Sequence, residues 1–258
     1  MGKIYKILFI AATSWELKII KQEVKKIKLQ NMKLYFWLSW IWNYSIILSL
    51  DSFLNKQKYD FIVNIWVCWY TAEYQKIIQI SRIKNLANND ELIVPVLFKF
   101  AALKSIASSE KVIFSDKDML WEDFVEMESY WIELVCTKFQ IPRIILKVPI
   151  DKVWKETKNF DFKKAKKLLV ENIDYKKLVK NIWEYLAKNN SVENVNLQSL
   201  QKYQEYYKMT FSEKVIFEKL FNKYLVLVEE DWGEKFGLFF EKNKELNKKD
   251  FFVKLQAI

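Results

Sequence analysis

The 258-residue chain has no histidine. That removes imidazole general bases and most zinc sites. It has two cysteines, Cys68 and Cys136, far apart and without nearby partners. They make no disulfide framework, and a reducing, cytoplasmic compartment is expected. Arginine occurs twice, as Arg82 and Arg143, whereas phosphate sites are usually built with it. Glycine is rarer still for its kind: 3 of 258 residues, about 1% where about 7% is usual. Tryptophan is in excess, with 11 copies.

Apolar residues make up 51% of the chain, enough for a sizeable core. The length fits one large α/β domain, or one of about 190 residues with an extension. The formal net charge is +10. From residue 152 onward there are 22 Lys against 16 acids, so the excess is spread along the chain. Dispersed lysines read as a solvated surface; no specific nucleic-acid partner is expected. Residues 4–12 carry no signal-peptide cleavage pattern and read as a strand. Residues 34–50 contain no charge, a length near the lower limit for a membrane span. Ser39, Asn43, Ser45 and Ser49 interrupt that stretch, and no membrane helix is expected.

Hydrophobic spacing predicts strands alternating with helices. Residues 4–12 suit a buried parallel strand, and Leu17, Ile20 and Val24 follow at helical spacing. Strands are expected at 33–39, 60–65, 77–83, 91–98, 103–107, 124–127 and 143–149, with a turn at 85–90. Helices are expected at 43–57 and 128–139, the second ended by Ile141-Pro142. Beyond Asp151, residues 161–188, 197–226 and 247–257 read as helical. This pattern implies an α/β sheet with helices on its faces, and a helical extension over the last 65 or so residues.

Three acids fall where such sheets bind ligands, at the carboxyl ends of strands. Glu16 lies past the first strand, Glu128 follows the strand ending at Met127, and Asp151 follows the strand ending near Pro149. Each alone also fits a helix cap or a first-turn acid.

The surrounding residues add to this. VEMES (125–129), a helix, then IPRIILKVPID (141–151) resembles the nucleoside phosphorylase and nucleosidase superfamily. The likeness is closest to 5'-methylthioadenosine/S-adenosylhomocysteine nucleosidases and futalosine hydrolases. ILFIAATSWEL (7–17) is similar to that family's first strand and water-activating Glu. LSWIWN (38–43) looks like its S-G-I-G turn, and NIWVCWYTA (64–72) like its N-x-G-x-A-G segment. The likeness spans about residues 4–185.

The resemblance implies a three-layer sandwich with a mixed central sheet between helices, occupying residues 1–190, and a helical extension of unassigned role at 191–258. It implies hydrolysis of a purine-type, methylthioadenosine-like nucleoside, without metal or cofactor, by a homodimer. Asp151 would protonate the purine, Glu16 would orient and deprotonate water, and Glu128 would hold the ribose 2'-hydroxyl. Met127 would pack under the sugar, with Glu126 also at the substrate. Val67 and Cys68 would line the pocket, and Val112 and Ile113 would sit near the base. Breaking a ribosyl C–N bond builds positive charge on the sugar, and carboxylates of separated pKa can serve both ends of that reaction. Phosphorolysis is the enzymatic alternative, and the scarcity of arginine weighs against it. A non-catalytic nucleoside-binding module is the other.

The chain departs from the family at its glycines. Trp stands at 40, 42, 66 and 69 where the family has Gly. Trp15 and Trp131 occupy positions suited to small residues, and Trp121 lies in a turn-like context. Turns that need positive φ or close backbone approach do not readily accept Trp. Excess Trp and missing Gly therefore read as one fact: UGA codons meaning glycine, translated as tryptophan. Restoring all eleven gives 14 Gly, about 5% and close to ordinary usage. With literal tryptophan, the ribose and base pocket is expected to be blocked. Lys147 replaces an Arg that the family often carries four residues before the catalytic Asp, and Pro149 is unusual there.

Overall fold

The structure is a computed structural model. It describes residues 3–28, 31–39, 43–71, 74, 76–113, 115, 119, 121–153, 161–210, 213–214, 217 and 232–256. The chain divides into two compact units, Met1–Leu186 and Ala187–Ile258.

The first unit is built on an eight-stranded mixed sheet. β1 (Tyr5–Ala11) lies between β2 (Met32–Leu38) and β3 (Phe61–Tyr70), parallel to both. β3 pairs in parallel with β8 (Arg143–Lys152) and, near its end, antiparallel with β7 (Phe124–Glu126). β4 (Ile78–Asn85) pairs with β8, with β6 (Ala102–Ser108) and with the short β5 (Glu91–Ile93). β6 also runs parallel to β7. β1 and β3 are buried on both faces, which is why they read as unbroken apolar runs rather than alternating ones.

The helices are α1 (Ser14–Lys25), α2 (Asn43–Lys56), α3 (Ser129–Lys138), α4 (Phe162–Glu171) and α5 (Tyr175–Tyr206). α1 buries Ile19, Ile20 and Val24, and α3 buries Ile132, Val135 and Cys136, onto the main core of the sheet. Strand–helix alternation, the mixed sheet and the flanking helices agree with the sequence expectation.

Several boundaries differ. β3 continues to Tyr70, so Trp66 and Trp69 lie in a strand rather than a loop. β8 continues to Lys152 because β3 still offers it a partner, so Asp151 lies within the strand instead of following it. β5 stops at Ile93 rather than reaching residue 98. The uncharged stretch at 34–50 divides between β2 and α2. Trp40 and Trp42 lie outside the described residues. Among the described residues, no helix is long and apolar enough to cross a membrane.

In the second unit, the helices α6 (Trp232–Asn243) and α7 (Lys248–Gln256) follow. The sequence pattern missed α6. Tyr203, Met209, Phe217, Phe240, Phe251 and Leu255 form a separate small core, so the extension's aromatics serve packing.

One turn residue stands out. Trp121 has φ 70° and is fully exposed at 102%. A left-handed non-glycine residue costs on the order of 1–3 kcal/mol, and an exposed indole recovers none of it by packing. Glycine there gives back about 0.5–1 kcal/mol as chain entropy. Trp121→Gly is therefore expected to stabilise the fold by roughly 1 kcal/mol. A urea midpoint that falls would contradict this account of the turn.

Candidate active site

Thr13 caps α1, and Glu16 takes its third helical position. The Glu16 carboxylate folds back onto the cap: its Oε2 accepts from the Thr13 amide at 3.0 Å and from Thr13 Oγ1 at 2.6 Å. The capping role that the sequence allowed is thus real, and it uses one oxygen. Oε1 is buried and has no hydrogen-bond partner among the described protein atoms. Burial pushes the Glu16 pKa up to about 7, partly offset by the Thr13 hydrogen bonds, the Val67 amide and the Lys147 charge. A buried acid with a pKa near neutrality, one oxygen of which is held by no more than a weak contact with the Val67 amide, suits proton exchange at physiological pH.

The second acid cluster starts α3. Glu126, at the end of β7, accepts from the Glu128 amide at 3.0 Å and the Ser129 amide at 2.9 Å. This satisfies helix donors that otherwise lack partners. The same carboxylate meets Lys147 Nζ at 3.0 Å. Lys147 is completely buried, bonded also to Asn64 Oδ1 at 3.0 Å, with its ammonium 4.9 Å from the Trp66 ring centroid. Glu128 accepts only from the Met127 amide at 3.2 Å in the hydrogen bonds of this cluster. Its pKa is raised well above the usual carboxylate value, by burial first and then by the charge of Glu126. One buried lysine therefore faces three buried carboxylates, and two of the acids bind protons more tightly than usual.

A cavity of about 200 Å³ opens on these groups. Its walls are Ala12, Thr13, Trp15, Glu16, Trp66, Val67, Trp69, Glu126, Met127, Glu128 and Phe162. Of the residues proposed from sequence, it gathers Glu16, Glu126, Met127, Glu128 and Val67. Asp151, Cys68, Val112 and Ile113 are not on its wall. Asp151 is buried in β8 opposite Trp69; its Oδ1 accepts from Lys164 Nζ at 3.1 Å and its Oδ2 has no hydrogen-bond partner among the described residues. Cys68 is buried on the same strand as Trp69, and burial pushes its thiol up. Ile113 packs in a neighbouring cluster with Val153 and Trp69, whereas Val112 is exposed.

The residue that sequence reading left out of the site is Lys147. Its signal was the one charge inside the apolar run 144–149, on the strand that follows the pair of acids at 126 and 128. The two arginines serve elsewhere: Arg143 binds Glu133 and Thr137, and Arg82 binds Glu122. Among the described residues, no group of three His, Cys, Asp or Glu side chains is placed to hold a metal ion.

No family model and no curated protein sequence matches the chain. Solved structures do. A Helicobacter pylori 5'-methylthioadenosine/S-adenosylhomocysteine nucleosidase superposes with a TM-score of 0.60 at 14% identity, covering 70% of this chain and 99% of its own. A Chlamydia trachomatis nucleosidase bound to MTA gives 0.56 at 18% identity, with 70% and 99% covered. A futalosine hydrolase mutant from Helicobacter pylori gives 0.55 at 13% identity, with 72% and 100% covered. An acid-lined cavity at the carboxyl ends of β1, β3 and β7 thus lies in a chain that shares its fold with these solved nucleosidase and futalosine hydrolase structures.

Proposed function

We propose that the chain hydrolyses the N-glycosidic bond of a purine-type, methylthioadenosine-like nucleoside. The observation that carries this is Glu16: a buried carboxylate with a pKa near 7 and one oxygen without a well-formed hydrogen bond, on the wall of a cavity shared with Glu128. Glu16 orients and deprotonates the attacking water. Glu128 holds the ribose 2'-hydroxyl, Met127 packs under the sugar, and Asp151 protonates the departing base. Glu126 and Lys147 hold the acid cluster in place. Neither arginine reaches the cavity wall, which favours water over phosphate as the attacking group. Incubation of the glycine-restored chain with methylthioadenosine, with and without phosphate, tests this by adenine release. Release that requires phosphate would move the protein to the phosphorylases.

We also propose that the Trp positions are glycine in the protein's own cell, through UGA codons. Trp121 in a left-handed turn supports this, as do Trp15, Trp66 and Trp69 on the cavity wall. Eleven UGG codons would sink the idea. A homodimer in a cytoplasmic, reducing compartment completes the proposal; the two buried free thiols fit that compartment.

A further inference from the structure

We infer that the indole of Trp69 occupies the place of the substrate's base, so that residue 69 decides whether this chain admits a purine. The inference rests on the nucleosidase reading for which end of the site takes the base.

Four observations meet at Trp69. It pairs with Asp151 across β3 and β8, at the point where their register shifts. Its side chain packs against the cluster that holds Ile113 and Val153, while it also forms part of the cavity wall. Among the described residues, its buried Nε1–H has no acceptor and the buried Asp151 Oδ2 has no donor. The remaining cavity is about 200 Å³, whereas small-molecule sites run to roughly 300–1,000 Å³.

Indole and purine are both flat, fused bicycles of a five- and a six-membered ring. They differ in polar atoms: indole offers one N–H donor, and purine offers ring-nitrogen acceptors. An indole in the base position fills the slot without offering Asp151 the ring-nitrogen atoms of a purine, and leaves its own Nε1–H and Asp151 Oδ2 without partners among the described residues. The space left over accommodates a sugar beside Glu16 and Glu128 but not a whole nucleoside. Glycine or alanine at 69 opens a flat slot between Asp151 and the Ile113 cluster, and apolar cavities of this scale bind planar rings.

Titration calorimetry with adenine itself, on the full chain and on Trp69→Gly and Trp69→Ala, tests this. The chain as it stands should show no saturable binding at millimolar adenine. Both variants should bind, and Asp151→Leu in the Trp69→Gly background should weaken binding at least tenfold. Saturable adenine binding by the unaltered chain overturns the inference, and this measurement stands even if the variants do not fold. Folded variants, checked by circular dichroism, that bind no adenine overturn it as well. Adenine binding by Trp69→Gly without cleavage of methylthioadenosine leaves the base position intact and removes the nucleosidase reading instead.

Discussion

In the chain carrying Trp69→Gly, changing Glu16 to Gln should lower kcat for nucleoside cleavage by about 10²–10⁴-fold, the usual worth of a positioned general base. The amide can still accept from Thr13, so the α1 cap survives and the loss falls on chemistry. The pH profile should move with it. Where Glu16 is the base, kcat/KM rises as pH increases through about 7, and the Gln variant loses that limb. Stability should respond in the opposite sense. Folding raises the Glu16 pKa from 4.5 to about 7, so the folded state holds this proton more tightly than the unfolded one. As pH rises above about 4.5, the unfolded chain releases the proton first and stability falls. The fall continues to about pH 7 and then levels. It amounts to about 3 kcal/mol. Urea unfolding at pH 5 and pH 8 should show this loss in the parent and a smaller one in Glu16→Gln. Equal loss in both would mean that Glu16 is not the group titrating.

Removing the buried cation should cost more stability than any other single change in the site. Lys147→Met leaves Glu126 charged, buried and unpaired by any ammonium, and breaking a buried pair from one side costs about 3–5 kcal/mol. Taking away both charges is far cheaper, because the desolvation penalty disappears along with the attraction. Lys147→Met with Glu126→Gln should therefore recover much of the loss, since Gln can still accept from the α3 amides. A double-mutant cycle in urea measures the coupling. Additive effects would mean that Lys147 stabilises through its apolar stem alone. The single variant should also raise the Glu16 pKa further, because Lys147 favours the ionised form; the activity limb near pH 7 would shift upward.

The fold was readable where one periodicity dominated. Apolar runs announced β1 and β3, and Leu17, Ile20 and Val24 announced α1, because double-faced burial and helical spacing leave direct traces. Strand ends were less visible. Asp151 reads as a post-strand acid, since a charge and Pro149 usually mark an end; β8 runs past both because β3 continues alongside it. The acid cluster was legible through the VEMES segment, which supplies two carboxylates and a helix start within four residues. The neutralising Lys147 was not, because a lysine in a strand ordinarily points to water. Its burial depends on a partner 21 positions away in sequence. The separation of Asp151 from the cavity was not legible; the tryptophans pointed only to a blocked ribose and base pocket. No spacing rule says what a bulky side chain displaces.

The dual attachment of Glu126 sets the order in which such a protein can decay. Its carboxylate starts a helix and anchors the buried ammonium at once, so a lineage that abandons chemistry cannot discard it cheaply. Glu16 carries only the α1 cap and Glu128 a single amide bond, so both are lost at lower cost. A descendant that kept positions 126 and 147 but had lost 16 and 128 would be a fossil of the reaction, recognisable by its architecture and silent in an assay.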